Sequence, residues 1–169
     1  FELVDRKVPD IAALYITKSE AKDTSKHSTG WNESLSTLWI AAGNGYAQVV
    51  RALIDRGTDI DKARASNGTT PLLIASGMGH VEVVSVLLEG GADINKTWNN
   101  GFTPLHIASL ESHKAVVRAL LEGGADIEKA EDNRVTPLCV ASHQGHEVVV
   151  RSLLELSLIH ISEPTRRIT

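Results

Sequence analysis

The sequence predicts an all-α-dominated repeat solenoid, a stack of short helix-turn-helix units, and three observations predict it. The phrase Thr103-Pro104-Leu105-His106-Ile107-Ala108 recurs thirty-three residues earlier as Thr70-Pro71-Leu72-Leu73-Ile74-Ala75 and thirty-three later as Thr136-Pro137-Leu138-Cys139-Val140-Ala141. A fixed period of this size marks stacked units, each too thin to bury its apolar side alone. Each phrase is followed by a second apolar stretch with residues three and four apart, the pattern of one buried helix face. Finally, aromatics make up only 4% of a chain that is 42% hydrophobic. Leu, Ile, Val and Ala suit narrow layers better than one large aromatic-centred core.

Residues 1–33 are the least regular. Val8 to Ile16 reads as a short amphipathic helix with Pro9 in its first turn, and Lys18 to Gly30 as a polar loop. Together they are expected to form a degenerate N-terminal capping repeat, since a stack needs its end shielded from water. The regular units are expected over 34–66, 67–99, 100–132 and a truncated 133–155. Ser36-Thr37-Leu38-Trp39-Ile40-Ala41-Ala42 opens the first, with Thr37 where later units carry proline.

In the later units Thr70, Thr103 and Thr136 are placed as N-caps, their hydroxyls accepting from an orphan backbone N–H. Pro71, Pro104 and Pro137 then occupy the first helical position, where a missing N–H costs nothing. The inter-helix turn carries Gly45-Tyr46, Gly79-His80, Ser112-His113 and Gly145-His146. Second helices follow at Val49–Ile54, Val83–Leu88, Val116–Leu121 and Val148–Leu154. Gly57, Gly91 and Gly124 supply left-handed stops. An extended finger then begins at Thr58-Asp59-Ile60, Ala92-Asp93-Ile94 and Ala125-Asp126-Ile127.

These residues resemble the ankyrin repeat family, whose pattern of T-P-L-H-x-A, then Gly-His, then V-V-x-x-L-L and Gly-Ala-Asp covers about residues 34–155. The resemblance implies units of two antiparallel helices with a projecting β-hairpin loop, stacked into a curved array that recognises proteins. Trp39, Leu73 and Cys139 replace the family's histidine, which only His106 retains. Ser112 replaces a turn glycine, and Arg134 the finger glycine seen at Gly68 and Gly101. Local adjustment is expected at each.

Residues 156–166 resemble a translated sequencing adapter, and 156–169 are read as an artefactual tail. Met78 is the only methionine, so the sequence reads as a fragment of a longer chain. A net charge of −4, with nine acidic against four basic residues between Asn67 and Asp132, argues against nucleic acid, whose binders carry a basic face. No apolar run is long enough to span a bilayer. The lone Cys139 cannot form an internal disulfide and fits an intracellular setting, cytoplasm or nucleus.

No residue pattern calls for catalysis, a cofactor or a metal. His80, His113 and His146 lie one unit apart, on the order of 10 Å by helix-packing distance, too far to converge on one ion. They read as structural, as does His106. Cys139 reads as a buried, inert thiol. What remains is surface. Finger-tip residues Arg64, Trp98, Asn99, Glu131 and Arg134, and the groove-facing Met78, Leu110, Glu111 and Gln144, are the candidates for partner binding. Trp98 has two readings: a binding anchor, or an aromatic folded back on its neighbouring finger. Trp39 is expected to pack against the N-terminal cap.

The function expected is a monomeric, non-catalytic adaptor or scaffold. Its partner is a protein, one with a basic patch on the strength of the acidic surplus. The alternative is a targeting arm of a larger enzyme or membrane receptor.

Overall fold

The computed structural model describes residues 37–64, 67–129 and 135–162, with side-chain surroundings through Glu155. Eight helices occur among the described residues: α1 Thr37–Gly43, α2 Ala47–Asp55, α3 Pro71–Gly77, α4 Val81–Glu89, α5 Pro104–Leu110, α6 Lys114–Glu122, α7 Pro137–His143 and α8 Glu147–Ser162. The expected capping repeat at 1–33 and the boundaries near residue 66 and residue 132 fall on or beside residues outside this set.

Each first helix begins as its sequence requires. Thr70, Thr103 and Thr136 hold extended backbone, and their hydroxyls accept from the N–H groups of Leu73, His106 and Cys139. Proline follows at the first helical position in all three. These helices are only seven residues long, too short to persist alone, so packing must hold them. They form one layer in which α1 lies on α3, α3 on α5 and α5 on α7; the second helices form another, α2 on α4 on α6 on α8. Within each pair the two helices also pack together.

The aliphatic stripes meet across these joints. Leu72, Leu105, Leu87 and Leu120 are wholly buried, and Leu153 is 1% exposed. Ala42, Ser76 and Ser109 occupy one equivalent position, each at 0% exposure. The two serine hydroxyls there have no hydrogen-bond partner, so the space selects for a small side chain, not a polar one.

The chain reverses between paired helices through a left-handed residue: Gly45, Gly79 and Gly145 have φ of 78°, 73° and 73°. Ser112 adopts φ 61°, the one non-glycine residue with positive φ among those described. A side chain in that region is disfavoured by roughly 1–2 kcal/mol, while glycine gives back part of this in unfolded-chain entropy. Ser112→Gly is therefore expected to stabilise by about 0.5–1 kcal/mol. A raised urea midpoint with unchanged slope is the result to look for; a lowered midpoint would show that the serine makes a compensating contact.

The β-hairpin implied by the family pattern is not present as paired strands among the described residues. In two of the fingers the described residues meet across the loop through Arg64 N–H to Thr69 O at 2.9 Å and Trp98 N–H to Phe102 O at 2.8 Å. Turns take the rest: Asn67 and Asn100 side chains accept from the N–H groups of Thr69 and Phe102. Backbone donors occupied by nearby side chains cannot build a ladder.

Candidate protein-interaction surface

Two sets of inter-unit bonds fix the stack and decide which residues are left to bind anything. The turn histidines form the first. His80 Nε2 lies 3.1 Å from Gly43 O, His113 Nε2 3.0 Å from Gly77 O, and His146 Nε2 2.8 Å from Leu110 O. A carbonyl can only accept, so Nε2 carries the hydrogen in each. Each histidine turn thus ties back to the last residue of the first helix in the preceding unit, whose carbonyl has no partner within its own helix. The histidines are structural, as their spacing implied.

The finger bases form the second set. Asp61 carboxylate oxygens accept from Asp93 N–H at 3.1 and 3.2 Å, and Asn95 Oδ1 accepts from Asp126 N–H at 3.0 Å. Lys96 Nζ donates to Asp61 O and Lys129 Nζ to Asn95 O. The first finger is clamped to the second, and the second to the third, each by one side-chain acceptor and one lysine. Sequence reasoning missed this lattice. Its signal was the pairing of Asp61, Asn95 and Glu128 two residues after Asp59, Asp93 and Asp126.

The candidate residues fall unevenly across this frame. Arg64 is half-buried, its guanidinium 5.5 Å from the centroid of the Trp39 ring. Such cation–π contact anchors the side chain at the finger root. Trp39 itself is 6% exposed; the capping segment it was expected to meet lies outside the described residues. Trp98 is half-buried and Asn99 exposed. The Asn99 side chain crowds the space beside Gly68 of the preceding finger, where any Cβ would collide with it. Glu131 and Arg134 lie outside the described residues.

In the first-helix row, Met78 and Glu111 are half-buried and Gln144 exposed, each at the C-terminal cap of its helix. Asn44 holds the same place after α1. One chemically different side chain per unit therefore lines this edge. Leu110 departs from the expectation: at 6% exposure it is a packing residue, because it occupies the last turn of α5, one position before the surface row. Cys139 departs the other way. It is exposed, although its counterparts Leu73 and His106 are buried at 2% and 0%. Those are covered by α5 and α7; no described helix covers α7 in turn.

Exposed apolar residues add positions the sequence reading did not single out. Tyr46 is 59% exposed, Val49 47%, Val148 53% and Leu154 48%. Tyr46 stands in the turn slot that histidine fills in the three later units, a departure visible in the alignment of the repeats but read only as turn.

His106 is pushed clearly below its ordinary value. Burial lowers its proton affinity, partly offset by its bond to Val135 O, with the Lys129 charge lowering it further. Among the described residues no cluster of acidic, histidine or cysteine side chains could hold a metal ion, and no helix is long and apolar enough to cross a membrane.

No curated protein matches the sequence. A family model for ankyrin repeats, in three copies, matches residues 4–98 and again residues 95–164. Its match spans the helix pairs, histidine turns and clamped fingers described above, and the chain belongs to the ankyrin repeat family.

Proposed function

We propose that this chain is a non-catalytic adaptor or scaffold. It binds a protein partner through the finger tips and the row of residues at the C-terminal ends of the first helices. The regular units are taken as 34–66, 67–99, 100–132 and 133–155. The observation that carries the reading is the division of labour between positions. Those that repeat are used up in inter-unit bonds. Those that differ from unit to unit, Trp98, Asn99, Met78, Glu111 and Gln144, retain accessible surface.

A surface held by the histidine ties and finger clamps needs little ordering on binding, which lowers the entropic cost of association. Trp98 is its natural anchor. Its backbone is pinned on both sides, by its own N–H to Phe102 O and by Gly101 N–H to its carbonyl. Asp59, Asp93, Asp126 and Glu128 are exposed along the finger bases. Their charge favours a partner with a basic patch, through the rate of encounter more than through affinity. The protein acts as a monomer inside the cell, in cytoplasm or nucleus.

The test compares the native chain with Trp98→Ala plus Glu111→Ala in a pull-down, followed by titration of the recovered partner. Loss of an aromatic anchor of ~2 kcal/mol weakens binding about thirtyfold. Unchanged recovery and affinity would remove this surface from consideration.

A further inference from the structure

The joint between α5 and α7 differs from its sisters in one respect: it is held by a histidine that uses both ring nitrogens. His106 Nε2 lies 2.9 Å from Val135 O, next to the threonine cap of α7. Nε2 must therefore donate, which leaves Nδ1 as an acceptor. Nδ1 receives the Thr103 N–H at 3.2 Å and lies 2.8 Å from the Thr103 hydroxyl. The ring is wholly buried and tilted against Phe102 at 5.1 Å between centroids.

We propose that His106 is an acid-sensitive latch that holds the α7–α8 pair on the stack at neutral pH and releases it in mild acid. A proton on Nδ1 would face the Thr103 N–H donor at the same short distance. The threonine hydroxyl can rotate to accept, but the backbone N–H is left without a partner. Swinging the ring away breaks the bond to Val135 and frees the start of α7.

The other joints lack this property. At the equivalent place between α3 and α5 stands Leu73, which does not titrate. The turn histidines use Nε2 only as a donor, and protonation leaves that donor in place, so His146 does not open the same joint.

Among the described residues, charged groups around His106 are few. Lys129, from the finger, acts on it electrostatically and opposes protonation. α3 has no ionisable side chain, the Lys114, Arg118 and Glu122 side chains of α6 are exposed, and so are Cys139 and His143 of α7. Glu131, Asp132 and Arg134 lie outside the described residues.

The direction of the effect follows from linkage. A histidine with lower proton affinity folded than unfolded contributes its full stability above the ordinary value of 6.5. That contribution is lost as pH falls, since the open state takes up the proton first.

Amide hydrogen exchange between pH 7.5 and 5, corrected for intrinsic rates, is the test. Peptides from Thr136 to Glu155 should lose protection by up to about tenfold per pH unit below 6.5, the limit for one proton. Peptides from α1 to α4 should hold theirs, and His106→Leu, which copies the side chain of Leu73, should abolish the dependence. Flat protection in α7 and α8 of the native chain, or the same fall in His106→Leu, would overturn the latch. Should the variant fail to fold, nitrogen NMR of the native histidine decides. A bare Nδ1 at pH 7 that stays unprotonated in the closed state while protection falls supports the latch. An Nδ1–H tautomer, or protonation complete before protection begins to fall, refutes it.

Discussion

Leu120→Ala should destabilise the protein by about 3–5 kcal/mol, the range for a large aliphatic side chain removed from a packed interior. Leu120 is wholly buried in α6, and α6 packs against α4 on one side and α8 on the other. A cavity there weakens two joints at once, and in a stack held by neighbour contacts the damage spreads along the array. Leu53 is the same residue of the first regular unit, but it is only partly buried. Leu53→Ala should cost about 1–2 kcal/mol, in proportion to the apolar surface it hides. Urea unfolding of both variants gives the comparison. Equal losses would mean that position in the stack does not govern stability, contrary to the burial pattern.

Gly79→Ala should cost about 2–3 kcal/mol. Gly79 has φ 73°, which disfavours any side chain by roughly 1–2 kcal/mol. The added Cβ would also lie 2.7 Å from His113 Nδ1. The ring must move, and moving it strains or breaks the 3.0 Å tie to Gly77 O, a hydrogen bond with a net contribution of about 1 kcal/mol. Gly145 serves as the internal control. Its φ is also 73°, but nothing lies within 4 Å of the place a Cβ would take. Gly145→Ala should therefore show the backbone term alone, about 1–2 kcal/mol. If the two variants unfold at the same midpoint, the histidine tie contributes nothing measurable.

Much of the local structure was legible because its causes lie within a few residues along the chain. A threonine three residues before its N–H partner, a proline that needs no donor, and a glycine at positive φ are short-range facts. Each appears where the sequence placed it: Thr70, Thr103 and Thr136 cap, and Gly57, Gly91 and Gly124 turn left-handed at 78°, 89° and 89°. The turn histidines were placed one unit apart by the same kind of short-range pattern, and each ring bonds a different carbonyl. The inter-finger clamps were not legible. Asp61 and Asp93 are thirty-two residues apart, and the polar residue that recurs two positions after each finger aspartate shows its bond only once the fingers are stacked.

Burial was the property that identical letters could not settle. Val49 and Val83 occupy the same place in successive second helices, yet Val49 is 47% exposed and Val83 0%. Leu73 and Cys139 share a place in the first helices, and only the leucine is covered. Leu110 and Glu111 are adjacent in the chain, one in the core and one at the surface row. Repeat period, helix starts, stops and turns follow from sequence alone, because they arise from backbone preferences and bonds between near neighbours. Which copy of a repeated residue is hidden, and so which side chains remain to meet a partner, is decided by the unit stacked against it. That neighbour is a matter of three-dimensional packing.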